Sequence, residues 1–90
     1  MPSIFTVAGY KIYFWSNENN EPVHIHIAKG KPTQNSTKYW VTSGGGLLQA
    51  NNNSRIPKKD LVKLESYIQS NIYIILNIWK QTFGYLSWYC

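Results

Sequence analysis

Ninety residues make one small domain spanning 1–90, because a chain of this size buries only about 60–65% of its unfolded surface and has no room for a second core. A composition that is 43% apolar, 16% aromatic and 14% charged excludes a disordered tail. The formal charge of +5 points to polyanionic partners, nucleic acid or an acidic protein surface, attracted over a Debye length of ~8–10 Å.

Residues 4–7 and 10–15 are rich in β-branched and aromatic side chains and flank Ala8-Gly9, which predicts a β-hairpin with a tight turn at Gly9. In its second strand Tyr10, Ile12 and Phe14 share one face, and Lys11, Tyr13 and Trp15 the other. Residues 16–22 are Asn- and Ser-rich and end in Pro22, a loop by composition. A third strand then begins near Val23. Strict alternation sets Val23, Ile25 and Ile27 on its apolar face and His24, His26 and Ala28 on the opposite one.

A polar loop over 29–36 precedes a fourth strand at 37–42, closed by Ser43-Gly44-Gly45-Gly46, and a short fifth strand is expected at 47–50. Asn51-Asn52-Asn53-Ser54 then reads as a turn or loop leading into the helix. After Pro57 and as far as Phe83 there is no Gly or Pro, and Leu61, Leu64, Ile68, Ile72, Ile75, Trp79 and Phe83 recur at spacings of three and four, the stripe of an amphipathic helix. With Pro57 as cap, Ile56 and Leu61 form a hydrophobic staple, Asp60 suits the first turn and Gly84 is the C-terminal cap. The span is long against a mean of about 11–12 residues, so one helix and two helices broken near Ser70-Asn71 both stand. The segment 72–79 is apolar nearly all round, and homo-oligomerisation through 72–89 or the aromatic tail 85–89 can cover it. The fold class is α+β: a four- or five-stranded, mostly antiparallel sheet packed by a C-terminal helix or helix pair.

The one cysteine, Cys90, leaves no intrachain disulfide, and the N-terminal run, interrupted by Gly9 and Lys11, has neither a basic lead nor the ~18 apolar residues of a membrane span. A cytoplasmic protein without membrane attachment is expected.

The segments "MPSIFTVAGYKIYFWSNE", "PVHIHIAKG", "TKYWV" and "WKQTFG", in this order, make the chain resemble a small bacterial family known as domain of unknown function 4160. The resemblance runs over nearly residues 1–84, with Ser16, Asn17, Glu18, Pro22, His24, His26, Lys38, Trp40 and Trp79 on the family pattern. Val23 departs from a second proline, and Pro57 from a serine cap. Residues 85–90 and the Asn-rich stretch are particular to this chain. The resemblance implies an association with toxin–antitoxin-like gene pairs and no particular reaction.

The His24–His26 pair admits three readings. A metal site lacks ligands, since only Glu18, Glu21, Asp60, Glu65 and Cys90 remain to complete it. No metal and no cofactor is therefore expected. Metal-independent ribonuclease chemistry suits two imidazoles near neutrality, one taking and one giving a proton, with lysines stabilising the developing phosphorane. The third reading has both rings hydrogen-bonded on the more polar face of the sheet, clasping the 16–22 loop. Whether the chain is an enzyme stays open between the last two.

Two basic sets flank this stretch: Lys29, Lys31 and Lys38 around the histidine strand, and Arg55, Lys58, Lys59 and Lys63 at the helix start. Cations there oppose the macrodipole by ~0.3–1 kcal/mol each, so a polyanion explains them better than stability does. Tyr13, Trp15 and Trp40 offer a stacking platform for single strands. The expectation is a toxin–antitoxin-like bacterial or phage-borne protein that binds nucleic acid, RNA more than DNA, or a nucleic-acid-handling protein. The alternative is a non-enzymatic protein-binding inhibitor or antitoxin-type partner docking on an acidic groove.

Overall fold

The computed structural model describes residues 3–17, 21–33 and 35–90. Five strands, β1 (Ser3–Val7), β2 (Tyr10–Tyr13), β3 (His24–Lys29), β4 (Thr37–Val41) and β5 (Leu47–Asn51), precede two helices, α1 (Lys58–Ser70) and α2 (Ile72–Phe83). The strands pair in chain order as an antiparallel meander. This is the expected α+β class with five strands and the helix pair. Ala8 and Gly9 both adopt positive φ, 50° and 84°, the two-residue turn whose twist matches a hairpin. The β4–β5 turn is tied by Thr42, whose amide donates to the Gly46 carbonyl and whose hydroxyl accepts from the Gly46 amide.

The helix breaks at Asn71. Its amide donates to the Ile68 carbonyl and its side-chain nitrogen to the Tyr67 carbonyl at 2.9 Å. A short amide side chain that competes for backbone acceptors in this way ends α1 and lets α2 start in a new direction. Each helix then buries its own stripe: Leu61, Leu64 and Ile68 from α1, Ile75 and Trp79 from α2. The staple residues Ile56 and Leu61 share a core cluster with Tyr10, Ile12, Ile25 and Ile27. Trp79 packs with Phe14, Val23 and Val41 in a second cluster, against which Leu86 of the tail is also seated. The tail thus covers part of the apolar surface of α2, and Gly84 caps that helix at φ 85°.

Two phenol–carboxylate links hold α1 on the sheet. Tyr10 donates to Asp60 at 2.7 Å and Tyr39 to Glu65 at 2.5 Å. The bond to Asp60, then burial and the carboxylate charge, raise the Tyr10 hydroxyl above the usual tyrosine range. Burial first, then Glu65, raises Tyr39 further. Both shifts favour the neutral phenol in the folded state, so their stabilisation is complete below the unfolded pKa of about 10 and is lost as pH rises through the folded values. At least two of the seven tyrosines should therefore ionise only together with alkaline unfolding, followed by tyrosinate absorbance alongside circular dichroism. Ionisation of all seven near pH ~10 with the fold intact would contradict these links.

The loop expected after β5 is present, and side-chain hydrogen bonds make it a knot. The Asn52 side-chain oxygen accepts from the Thr37 hydroxyl at 2.8 Å and the Ile56 amide at 3.1 Å, while its nitrogen donates to the Ile56 carbonyl. The Ser54 hydroxyl accepts from the Thr37 amide and donates to the Ile27 carbonyl. Residues 52–56 are thereby fastened to the end of β3 and the start of β4. Among the described residues, no helix is long and apolar enough to cross a membrane.

Candidate functional site

The face of the sheet turned away from the helices carries the histidine row. Register places His26 between Tyr13 of β2 and Lys38 of β4, and His24 opposite Trp40. Alternation correctly puts the two histidines on one face, but that face is covered. His24 is 0% exposed, His26 6% and Tyr13 0%. The Tyr13 hydroxyl donates to the Thr33 carbonyl at 3.2 Å, holding Thr33 beside the row. Of the three aromatics proposed for stacking, Tyr13 is thus sealed inside, and Trp15 and Trp40 are half-buried.

His24 Nδ1 lies 2.9 Å from the Pro22 carbonyl. A carbonyl only accepts, so Nδ1 carries the proton and donates. Around this ring stand His26 at 5.1 Å, Trp79 at 5.2 Å and Trp40 at 5.6 Å between centroids, all near edge-to-face. His26 in turn lies against Tyr13 at 5.4 Å, and Tyr13 against Trp15 at 5.3 Å. The row is one aromatic layer, with Trp79 of α2 closing it at the end of the sheet.

Lys38 does not join the other cations. Its Nζ contacts Glu21 at 2.6 Å and sits 4.1 Å from the centre of the Trp40 ring, a cation–π arrangement that polarises the indole. Trp40 is also stacked by Tyr89 at 4.7 Å with an interplanar angle of 3°.

The remaining predicted cations converge. Lys29 ends β3, Lys31 follows two residues on, and the 52–56 knot brings Arg55 to that same end because its neighbour Ser54 bonds to Ile27. Lys58 and Lys59 open α1 directly after it. All five are exposed, as is Lys63 one turn further along α1. Arg55 holds a left-handed backbone, φ 55°, which turns the chain from the knot into α1. Sequence separation hides this cluster; the Thr37–Asn52–Ser54 bonds create it. The end opposite carries His24, Trp40 and the tail. A cleft lined by Val7, Ala8, Tyr10, Asp60, Lys63 and Leu64 lies between the β1–β2 turn and α1, away from the histidines.

Of the metal candidates, Glu21 is paired with Lys38, Asp60 with Tyr10 and Glu65 with Tyr39, Cys90 is exposed, and Glu18 lies outside the described residues. Among the described residues no three His, Cys, Asp or Glu side chains gather as a metal would need. Sequence reasoning missed Tyr89, whose partner Trp40 is far away in the chain, and the roles of Thr33, Asn52 and Ser54.

A five-stranded meander closed by two helices, with an H-x-H strand under an aromatic layer, defines a small α+β domain of the kind the motif order suggested. The chain belongs to the family described as domain of unknown function (DUF4160), whose model matches residues 9–80. The match takes in His24, His26, Lys38, Trp40 and Trp79, and ends before Tyr89. No curated protein and no solved structure is significantly similar to the chain.

Proposed function

We propose that the domain binds nucleic acid, RNA in preference to DNA, through its basic end, as a component of a toxin–antitoxin-like bacterial or phage-borne system, the setting that the family resemblance implies. The observation that carries this reading is the convergence of Lys29, Lys31, Arg55, Lys58 and Lys59 at one end of the sheet. Nothing in folding calls for it: two of these cations stand in the first turn of α1 against the helix dipole. The half-buried indoles of Trp15 and Trp40 favour a single strand over a duplex, since unpaired bases stack on aromatic side chains.

Ribonuclease chemistry at His24 and His26 would require a scissile phosphate to reach rings that are 0% and 6% exposed. We read the pair instead as the support that seats Trp40 and fastens the chain at Pro22. The lysines are then binding groups, not transition-state stabilisers.

Salt dependence is the test. For a single strand the logarithm of affinity should fall linearly with the logarithm of salt, by about 0.7 per phosphate contacted, and five cations give a slope near −3.5. Failure to retain single-stranded RNA at low salt would sink the reading. A protein-binding role has one observation in its favour: Tyr85, Trp88 and Tyr89 of the tail, Leu48 of β5 and Tyr73 of α2 are large apolar side chains left exposed. A partner protein or a second copy held by that surface would bind with little salt dependence.

A further inference from the structure

Residues 85–90 wrap from the helical side of the sheet to the histidine side. Leu86 packs with the Trp79 cluster. The Val23 amide donates to the Ser87 carbonyl at 2.9 Å and the Ser43 amide to the Cys90 carbonyl at 3.0 Å, which brings Tyr89 flat onto Trp40.

We infer that the Trp40 indole is a nucleobase-stacking site and that Tyr89 of the same chain occupies it in place of a base. The inference rests on the nucleic-acid reading above and deepens it. Three observations support it. The Trp40–Tyr89 pair is parallel to within 3°, the arrangement a base adopts on an indole, whereas the neighbouring rings His24, Trp79, Phe14 and Phe83 meet at angles of 43° to 68°. Tyr89 is 57% exposed, so its ring is a lid over Trp40 and not part of the core. Trp40 itself is fixed by the buried His24 edge and by Lys38. The platform is held from within the sheet, and its occupant hangs on a tail segment.

A base competes well for this position, because stacking of a nucleobase on an aromatic side chain is as strong as or stronger than an ordinary aromatic pair. The path to the phosphate-binding end is short. Five residues of strand separate His24, opposite Trp40, from Lys29, about 16 Å. One single strand therefore stacks a base on Trp40 and lays its phosphates along the basic end.

The experiment measures binding of a short fluorescein-labelled oligoadenylate at low salt. Tyr89→Ala removes the internal competitor and should raise affinity about three- to tenfold, the factor by which an ordinary aromatic pair reduces the competent population. Trp40→Ala should lower affinity to a level set by phosphates alone, and Tyr89→Ala should then add nothing. Trp40→Phe keeps a smaller platform and gives an intermediate affinity with the fold retained by circular dichroism. Equal affinity of wild type and Tyr89→Ala overturns the inference, as does a Trp40→Phe protein that binds like wild type. Binding that responds to charge reversal at Lys58 and Lys59 but to neither aromatic change overturns this inference alone. Absence of binding in every variant, with the fold intact, overturns the basic-end reading as well.

Discussion

His24→Ala is expected to lower the melting temperature by about 12–24 °C, from a loss of about 3 kcal/mol at 4–8 °C per kcal/mol in a domain of this size. The ring is 0% exposed and surrounded by Trp79, Trp40 and His26, so truncation leaves a cavity that these rings fill only in part. It also strips the Pro22 carbonyl of its donor, which at about 1–3 kcal/mol for a group that stays buried accounts for part of that loss. Against a total near 5–13 kcal/mol for ninety residues, that is a large fraction. His24→Phe separates the two contributions: a slightly larger aromatic ring fills the site, the Nδ1 donor is lost, and the expected cost is about 1–3 kcal/mol. Thermal melts decide the matter. A His24→Ala protein that melts like wild type yet loses an RNA-cleaving activity would return the pair to catalysis.

Reversing the charge of the basic end has the opposite profile. Arg55→Glu, Lys58→Glu and Lys59→Glu together should cut the affinity for single-stranded RNA by about a hundredfold at ~0.1 M salt and reduce the salt slope by about 2, the sum for three phosphate contacts. Stability should not fall with it. Acidic residues in the first turn of α1 favour the helix dipole where lysines oppose it, by ~0.3–1 kcal/mol at each of the two positions. The triple variant is thus expected to melt slightly higher than wild type while binding far more weakly. Unchanged RNA affinity in a folded triple variant would remove the basic end from the binding surface.

Local chemistry made much of this fold readable. Ala8-Gly9 demanded a hairpin turn, period-two alternation set the faces of β3, and the spacing of Leu61, Leu64, Ile68, Ile75 and Trp79 described one helical stripe, leaving open the break that the structure places at Asn71. The site was readable only by residue type. Alternation says that His24, His26 and Tyr13 share a face; it does not say that Thr33 and the tail close on that face, because those contacts join residues far apart in the chain. The Asn52 knot escaped for the same reason. Its side chain is an ordinary loop former in sequence, and it acquires a role only when Thr37 arrives from a different strand. Lys38 was grouped with the other cations by sequence proximity, yet the strand register turns it toward Glu21 and Trp40.

The meander carries a consequence for the order of assembly. Every strand pairs with its neighbour in the chain, so the sheet is made of local contacts that form early and do not wait for distant segments. The basic end is complete once residues 52–59 have docked. The Trp40 face is finished only when residues 85–90 close over it.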